Sequence, residues 1–271
     1  MNRIIGSSCM GFSSMSVALV GVLAPLITAS AAQPAVIPAY ISAAVADASR
    51  PDSDRQRDVN RKPAEVLAFA GVKPGDKVGE LMAGGGYFTR LFCKIVGPAG
   101  HVYTMNVTAT KQMDRPAPDA PRPGPAPAPA AAPSGEACTN VTADAKPAAQ
   151  FALPAGLDVV WTSENYHDLH NDMFGKPDML SFDRTVFAAL KPGGVFMVED
   201  HAAAAGAGAS VTETLHRIDA EQVKKEVTAA GFVFEAASNV LANPDDPHTG
   251  KTFSLNGKSD KFLLRFRKPA R

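Results

Sequence analysis

This sequence predicts an α/β fold of the doubly wound kind with a mostly parallel sheet, and three stretches carry the expectation. In residues 77–90, K-V-G-E-L-M-A-G-G-G-Y-F-T-R, a short apolar strand ending in Glu80 runs into three consecutive glycines and then a helix-like segment, 87–96, closed by Gly97. In 157–162, L-D-V-V-W-T is a continuous apolar run, as expected of a strand in a parallel sheet covered on both faces. In 177–200 a helical stretch closed by K-P-G-G leads into another apolar strand, V-F-M-V-E-D.

At 271 residues, with 45% hydrophobic and 20% charged content, the chain can bury a substantial core as one large domain or two small ones. Its 27 basic and 27 acidic residues cancel, so no global charge points to nucleic acid. Met1, Asn2 and Arg3 make a basic start, followed by an apolar run at 15–29 that Pro25 interrupts and by the small residues Ser30, Ala31 and Ala32. That is the pattern of a signal peptide over 1–32, cleaved near Ala31 or Ala32. The run is shorter than the roughly 20 residues of a membrane span, so no stable membrane insertion is expected after cleavage and the location is expected to be periplasmic. Cys9 precedes the apolar run, which argues against a lipoprotein.

Residues 33–62 form a polar N-terminal arm whose charge-dense stretch, S-R-P-D-S-D-R-Q-R-D-V-N-R-K, reads as a solvated lead-in, and the folded domain is expected over 63–271. Pro63 suits the first position of a helix and Gly71 its end. K-P-G-D then turns the chain into the first strand, and 101–106 reads as the second. From about 111 to 137 the sequence is dominated by proline and alanine, which cannot build a core, so a disordered insertion is expected. T-N-V-T-A-D, 139–144, reads as a short third strand. The fifth strand ends in Glu199, Asp200 and His201, and the Ala/Gly stretch 202–209 reads as a mobile lid because it has little side-chain mass to anchor it. Asp219 is placed to cap the last long helix, Gly231 to end it, and two final strands follow. An oxidising compartment permits a disulfide between Cys93 and Cys138, but Cys93 on the inner helix reads as a buried free thiol.

Glycines at a strand-to-helix junction let the backbone turn at positive φ and let a nucleotide-type ligand approach it, although a flexible turn has the same composition. The segment resembles the first motif of class I S-adenosylmethionine-dependent methyltransferases: Glu80, Gly84 and Gly86 fall on the acidic-x-Gly-x-Gly-x-Gly spacing, while Met82 stands where the first glycine usually is. The following Y-F-T-R-L-F-C-K-I-V-G-P-A-G-H-V-Y-T-M-N is similar to that family's helix, Gly-Pro turn and second strand. The nearest flavour is that of the protein-isoaspartate and tRNA-adenine branches and of a group of exported bacterial methyltransferase-like proteins, and the resemblance runs from about Arg57 onward. It implies a Rossmann-like, seven-stranded sheet with an antiparallel C-terminal edge hairpin. It also implies S-adenosyl-L-methionine as cofactor, held by Glu80, Ala83, Gly84, Gly85 and Gly86. Asn106 stands where the family has an acidic acceptor for the ribose hydroxyls, so weaker binding is expected. Asp144 matches the acidic residue that meets the adenine amino group, and reads equally well as a loop aspartate. By the same resemblance, Arg57, Asp58 and Arg61 fold over the ligand.

Doubly wound folds hold ligands beyond the carboxyl ends of their strands, and S-E-N-Y-H-D-L-H-N-D follows the fourth strand there. His167, Asp168 and His201 are the expected catalytic residues, with Asn165 and Tyr166 shaping a substrate pocket. His167, His170, His201 and His216 accompany Asp168, Asp172, Asp200 and Asp219 in a set chemically suited to a divalent ion. Their spacings match no dedicated motif, and no metal ligand is assigned. The expected function is methyl transfer to a small-molecule acceptor, since no basic or aromatic surface for nucleic acid is evident. The alternative is an exported ligand-binding or non-methylating protein on the same scaffold, favoured by Met82, by Asn106 and by the cofactor's cytoplasmic origin. A third reading, an envelope protein tethered by its Pro/Ala segment, rests on composition alone.

Overall fold

The computed structural model describes Met1, residues 36–110 and residues 138–270. The rest of the expected signal peptide and the Pro/Ala-rich insertion lie outside the described residues. Strands β1 (Lys77–Leu81), β2 (His101–Thr108), β3 (Val141–Pro147), β4 (Leu157–Ser163), β5 (Leu190–His201), β6 (Val233–Ser238) and β7 (Lys261–Arg267) form one seven-stranded sheet in the order β3-β2-β1-β4-β5-β7-β6. β1 pairs in parallel with both β2 and β4, β5 extends the parallel run, and β7 inserts antiparallel between β5 and β6. This is the doubly wound, mostly parallel sheet with an antiparallel C-terminal edge that the sequence predicts.

Successive side chains of a strand point to opposite faces, and the two cores follow that alternation. On one face Val78, Val102, Val159, Trp161 and Met197 meet α1 (Ala39–Val45), α3 (Pro63–Ala70) and α4 (Tyr87–Val96). Trp161 is fully buried there against Phe88 and Phe92, with ring centroids at 4.7 and 5.4 Å. On the other face Leu81, Met105, Val160, Phe196 and Val198 meet α5 (Met179–Ala189) and α7 (Ala220–Ala229). Pro63 opens α3, Gly71 closes it in the left-handed conformation, and the Asp219 carboxylate caps α7 by accepting from the Glu221 N–H at 3.0 Å. The short helix α6 (Thr212–Leu215) precedes α7.

The structure departs from the sequence reading in four places. The polar arm is helical, as the uncharged α1 and the charge-dense α2 (Asp52–Arg61), and the charges of the second find partners on α4 and within the arm. Asp54 pairs with Arg90 at 2.6 Å, Asp58 accepts from the Tyr87 hydroxyl at 2.5 Å, and Arg50 pairs with Asp58 at 2.7 Å. The K-P-G-G segment is the start of β5 rather than a turn before it, and the β4–β5 pairing absorbs it through a register irregularity between Leu157 and Val159. The Ala/Gly stretch is held through its backbone where side chains cannot hold it: Ala203 N–H donates to Ile218 O at 2.9 Å and Gly206 N–H to the Asp219 carboxylate at 2.7 Å.

Cys93 is not a free thiol: it forms a disulfide with Cys138, across a Cα–Cα distance of 5.7 Å. The cause lies at Asn140, whose side-chain amide donates to the carbonyls of Cys93 at 3.2 Å and Gly97 at 2.7 Å. Those bonds hold the approach to β3 against the end of α4, which sets Cys138 beside Cys93. The bond closes a sequence separation of 45 residues. Reduction, or a Cys93→Ala/Cys138→Ala double variant, is expected to destabilise the fold by about 2–4 kcal/mol. Denaturant unfolding with and without reductant checks this, and identical midpoints would contradict it.

Candidate functional site

Because β1 sits between β2 and β4, chains leaving its two flanks diverge and open a crevice beyond the carboxyl ends of these strands. A cavity of about 690 Å³ occupies that place. Its floor is the strand-to-helix turn: Glu80, Leu81, Met82, Ala83, Gly84 and Gly85 all line it. The turn is built from left-handed backbone at Met82 (φ 50°), Gly84 (φ 54°) and Gly86 (φ 75°). Gly86 is the N-cap of α4 and donates to Ala83 O at 2.9 Å, closing the turn without lining the cavity. Met82 thus takes the conformation a glycine favours, at a cost of roughly 1–2 kcal/mol. Two bonds offset it: Met82 N–H donates to Met105 O at 2.8 Å, and Met82 O accepts from the Asn165 amide at 2.9 Å.

Glu80 is buried, and its carboxyl accepts from the Thr89 hydroxyl at 2.5 Å on the first turn of α4. Burial pushes its pKa up to about 8, against the smaller opposing pulls of Thr89, Arg90 and Arg61. On the next strand Asn106 lines the cavity. Asp144, on β3, lies away from the lining: it is exposed and paired with Lys146 at 2.9 Å, while its neighbour Ala145 meets the cavity.

From the arm, Arg57 and Arg61 line the cavity near Tyr87, with guanidinium carbons 5.2 and 4.9 Å from its ring centroid. Arg61 pairs with Glu164, whereas Arg57 has no carboxylate partner among the described residues. Sequence reasoning missed Glu164, the residue directly after β4, whose chemistry is invisible until Arg61 and Lys261 converge on it. Burial pushes the Glu164 carboxyl up, but Arg61, His201 and Lys261 together hold it down to about 2. Behind it Glu199 is fully buried; desolvation, then the Glu164 charge, raise it to about 7.

The eight histidines and aspartates grouped from sequence do not converge as one set. Of the expected catalytic residues Asp168 lines the cavity, His167 lies directly behind it at 2% exposure, and His201 is turned to Ser259, whose hydroxyl is 2.8 Å from its Nδ1. Burial lowers the His201 pKa to about 4. His167 is held by Asp200, which accepts from its Nδ1 and its backbone N–H, both at 2.7 Å. Burial opposes charge on His167, but Asp200 and Asp168 outweigh it and push the pKa up to about 10. Burial pushes the Asp168 carboxyl up, but His167 and His216 together hold it well below the usual carboxylate range. Asn165 lines the cavity, but Tyr166 does not: it is a core residue bonded to Asp183 at 2.9 Å and Glu226 at 3.1 Å. His170 lies against Glu226 at 3.3 Å, and Asp219 serves as a helix cap.

A carboxyl held near 8 in the fold ionises around 4.5 when exposed, so the burial of Glu80 weakens the fold as pH rises between those values. Glu80→Gln, uncharged throughout, removes that loss. Relative to the parent protein its Tm is expected to improve from pH 5 to pH 8.5 by several degrees, the equivalent of up to about 4 kcal/mol. Parallel Tm–pH curves for the two proteins would contradict the assignment.

No protein-family model and no curated protein matches this chain. Solved structures do. An S-adenosylmethionine-dependent methyltransferase from Aquifex aeolicus is 16% identical with a TM-score of 0.50, over 80% of this chain and 98% of that one. A chain from the complex containing the Haloferax volcanii Trm112 methyltransferase activator is 14% identical with a TM-score of 0.53, over 86% and 99%. An arsenic(III) S-adenosylmethionine methyltransferase from Chlamydomonas reinhardtii is 16% identical with a TM-score of 0.51, over 86% and 74%. At these identities the likeness establishes the fold: the chain has the Rossmann-like architecture found in S-adenosylmethionine-dependent methyltransferases.

Proposed function

We propose that this protein binds S-adenosyl-L-methionine in the crevice above β1 and catalyses methyl transfer to a small-molecule acceptor. The observation that carries the reading is the cavity itself: its volume of about 690 Å³ lies over a left-handed glycine turn where the sheet order reverses. Cavities of about 300–1,000 Å³ are of the size that holds such ligands. Backbone at 83–85 receives the methionine part, Asn106 accepts from the ribose, and Arg57, a cation without an ion-paired carboxylate among the described residues, meets the carboxylate. When bound, the cofactor supplies an electrophilic methyl on a sulfonium sulfur. The chain contributes proximity and exclusion of water, through the Trp161 and Phe88 walls and the Phe174 side of the cavity. Asp168 marks the acceptor end.

The balanced charge of the chain supports a small acceptor over a polymer. The Cys93–Cys138 disulfide supports export, because such bonds persist in oxidising compartments. Asn106, neutral where an acid would strengthen ribose binding, favours a second reading in which the scaffold binds ligand without transferring a methyl group. Isothermal calorimetry with S-adenosylmethionine and S-adenosylhomocysteine tests the seat. Saturable binding of both is expected, weakened about tenfold by Arg57→Ala. No heat from either compound overturns the proposal, and binding with no turnover across candidate acceptors would select the second reading.

A further inference from the structure

We infer that His167, His216 and Asp168 form a tetrahedral site for a divalent transition-metal ion such as zinc, open on its fourth side beside the cavity. The three candidate ligand atoms make a nearly equilateral triangle: His167 Nε2 to His216 Nδ1 is 3.3 Å, His167 Nε2 to Asp168 Oδ1 is 3.3 Å, and His216 Nδ1 to Asp168 Oδ1 is 3.5 Å. A zinc ion bonded tetrahedrally at about 2.0–2.2 Å requires its ligands to be about 3.3–3.6 Å apart. Octahedral magnesium at about 2.0–2.1 Å would need adjacent ligands nearer about 2.9 Å and would favour oxygen donors. Both the spacing and the two-nitrogen, one-oxygen donor set therefore select a borderline-soft, four-coordinate ion.

The surroundings have the form that such a site requires. Asp200 is fully buried and accepts from His167 Nδ1 at 2.7 Å, which turns Nε2 toward the other two ligands. A carboxylate behind a ligating imidazole is the usual means of fixing the ring and its tautomer. Backbone N–H groups of His167 and His201 hold Asp200 in turn, both at 2.7 Å. The far side of the cluster is open: Asp168 lines the cavity, the side chains of Asp168 and His216 are 22% and 24% exposed, and the cavity-lining Phe253 packs on the His216 ring at 4.3 Å. The fourth position is left to water or to an oxygen or sulfur of a molecule in the cavity. The sequence grouped these residues among eight candidates but could not single out the three, because they come from two segments 48 residues apart, Asp168 to His216, and match no linear metal motif. The rival arrangement is a metal-free relay in which a protonated His167 is clamped between Asp200 and Asp168.

The test is metal titration of the chelator-treated full chain, by calorimetry with zinc and by visible absorption with cobalt. One zinc per chain at submicromolar affinity is expected, with the intense visible bands of tetrahedral cobalt. His216→Ala and Asp168→Asn should each weaken binding by more than about 100-fold, and Asp200→Asn, acting through His167, by about 10–100-fold. His170→Ala, outside the cluster, should leave it unchanged, and circular dichroism shows that each variant is folded. The inference is overturned by absence of stoichiometric zinc, by cobalt spectra lacking tetrahedral bands, or by zinc affinity unmoved in folded His216→Ala and Asp168→Asn. Equal loss in His170→Ala overturns it too. None of these readouts depends on binding of S-adenosylmethionine, so the site and the proposed function fail separately.

Discussion

The left-handed backbone between Met82 and Gly86 is the constraint on which the site depends. Without it β1 cannot hand the chain to α4 while leaving its carboxyl end open. The turn is secured from three sides: Met105 on β2 accepts the Met82 N–H, Asn165 beyond β4 donates to the Met82 carbonyl, and Glu80 is tied to Thr89 across the turn. Strands on both sides of β1 therefore register on the same few backbone atoms. The N-terminal arm then docks on the helix that the turn has aimed, through Asp54 on Arg90 and Asp58 on Tyr87, and brings Arg57 and Arg61 to the cavity mouth.

The cavity lining carries charge of both signs. At the turn, a carboxyl kept largely neutral by burial at Glu80 lies below the cationic pair Arg57 and Arg61. Asp168 also lines the cavity, its carboxyl held well below the usual range by His167 and His216 against its own desolvation. Glu164, on the same lining, balances Arg61 and Lys261, while Glu199, deeper in the sheet, is raised first by its own desolvation and then by that ionised neighbour.

Much of the fold was legible because its signals are local. The helix 87–96, its glycine boundaries, the apolar fourth strand and the Asp219 cap are set by neighbours within a few residues, and the structure has them at the same places. What could not be read depends on distant partners. The charge-dense arm looks solvated until Arg90 and Tyr87 arrive from α4. Cys93 looks like a core thiol until Asn140 holds the approach to β3 against the end of α4. The Ala/Gly stretch looks unanchored until the backbone of Ile218 is beside it. The site shows the same division: Glu80, Ala83, Gly84 and Gly85 meet the cavity because the turn is a local motif, and Asn106 because β2 pairs beside β1, whereas Glu164 becomes a site residue only through tertiary convergence.

The central claim is that the turn above β1 seats an adenosyl sulfonium compound. A crystal structure of the protein soaked with S-adenosylhomocysteine tests it most directly. The account predicts ligand density along residues 82–85, with the ribose against Asn106 and the amino-acid carboxylate toward Arg57. An empty crevice at saturating ligand, or density bound elsewhere on the molecule, would contradict it.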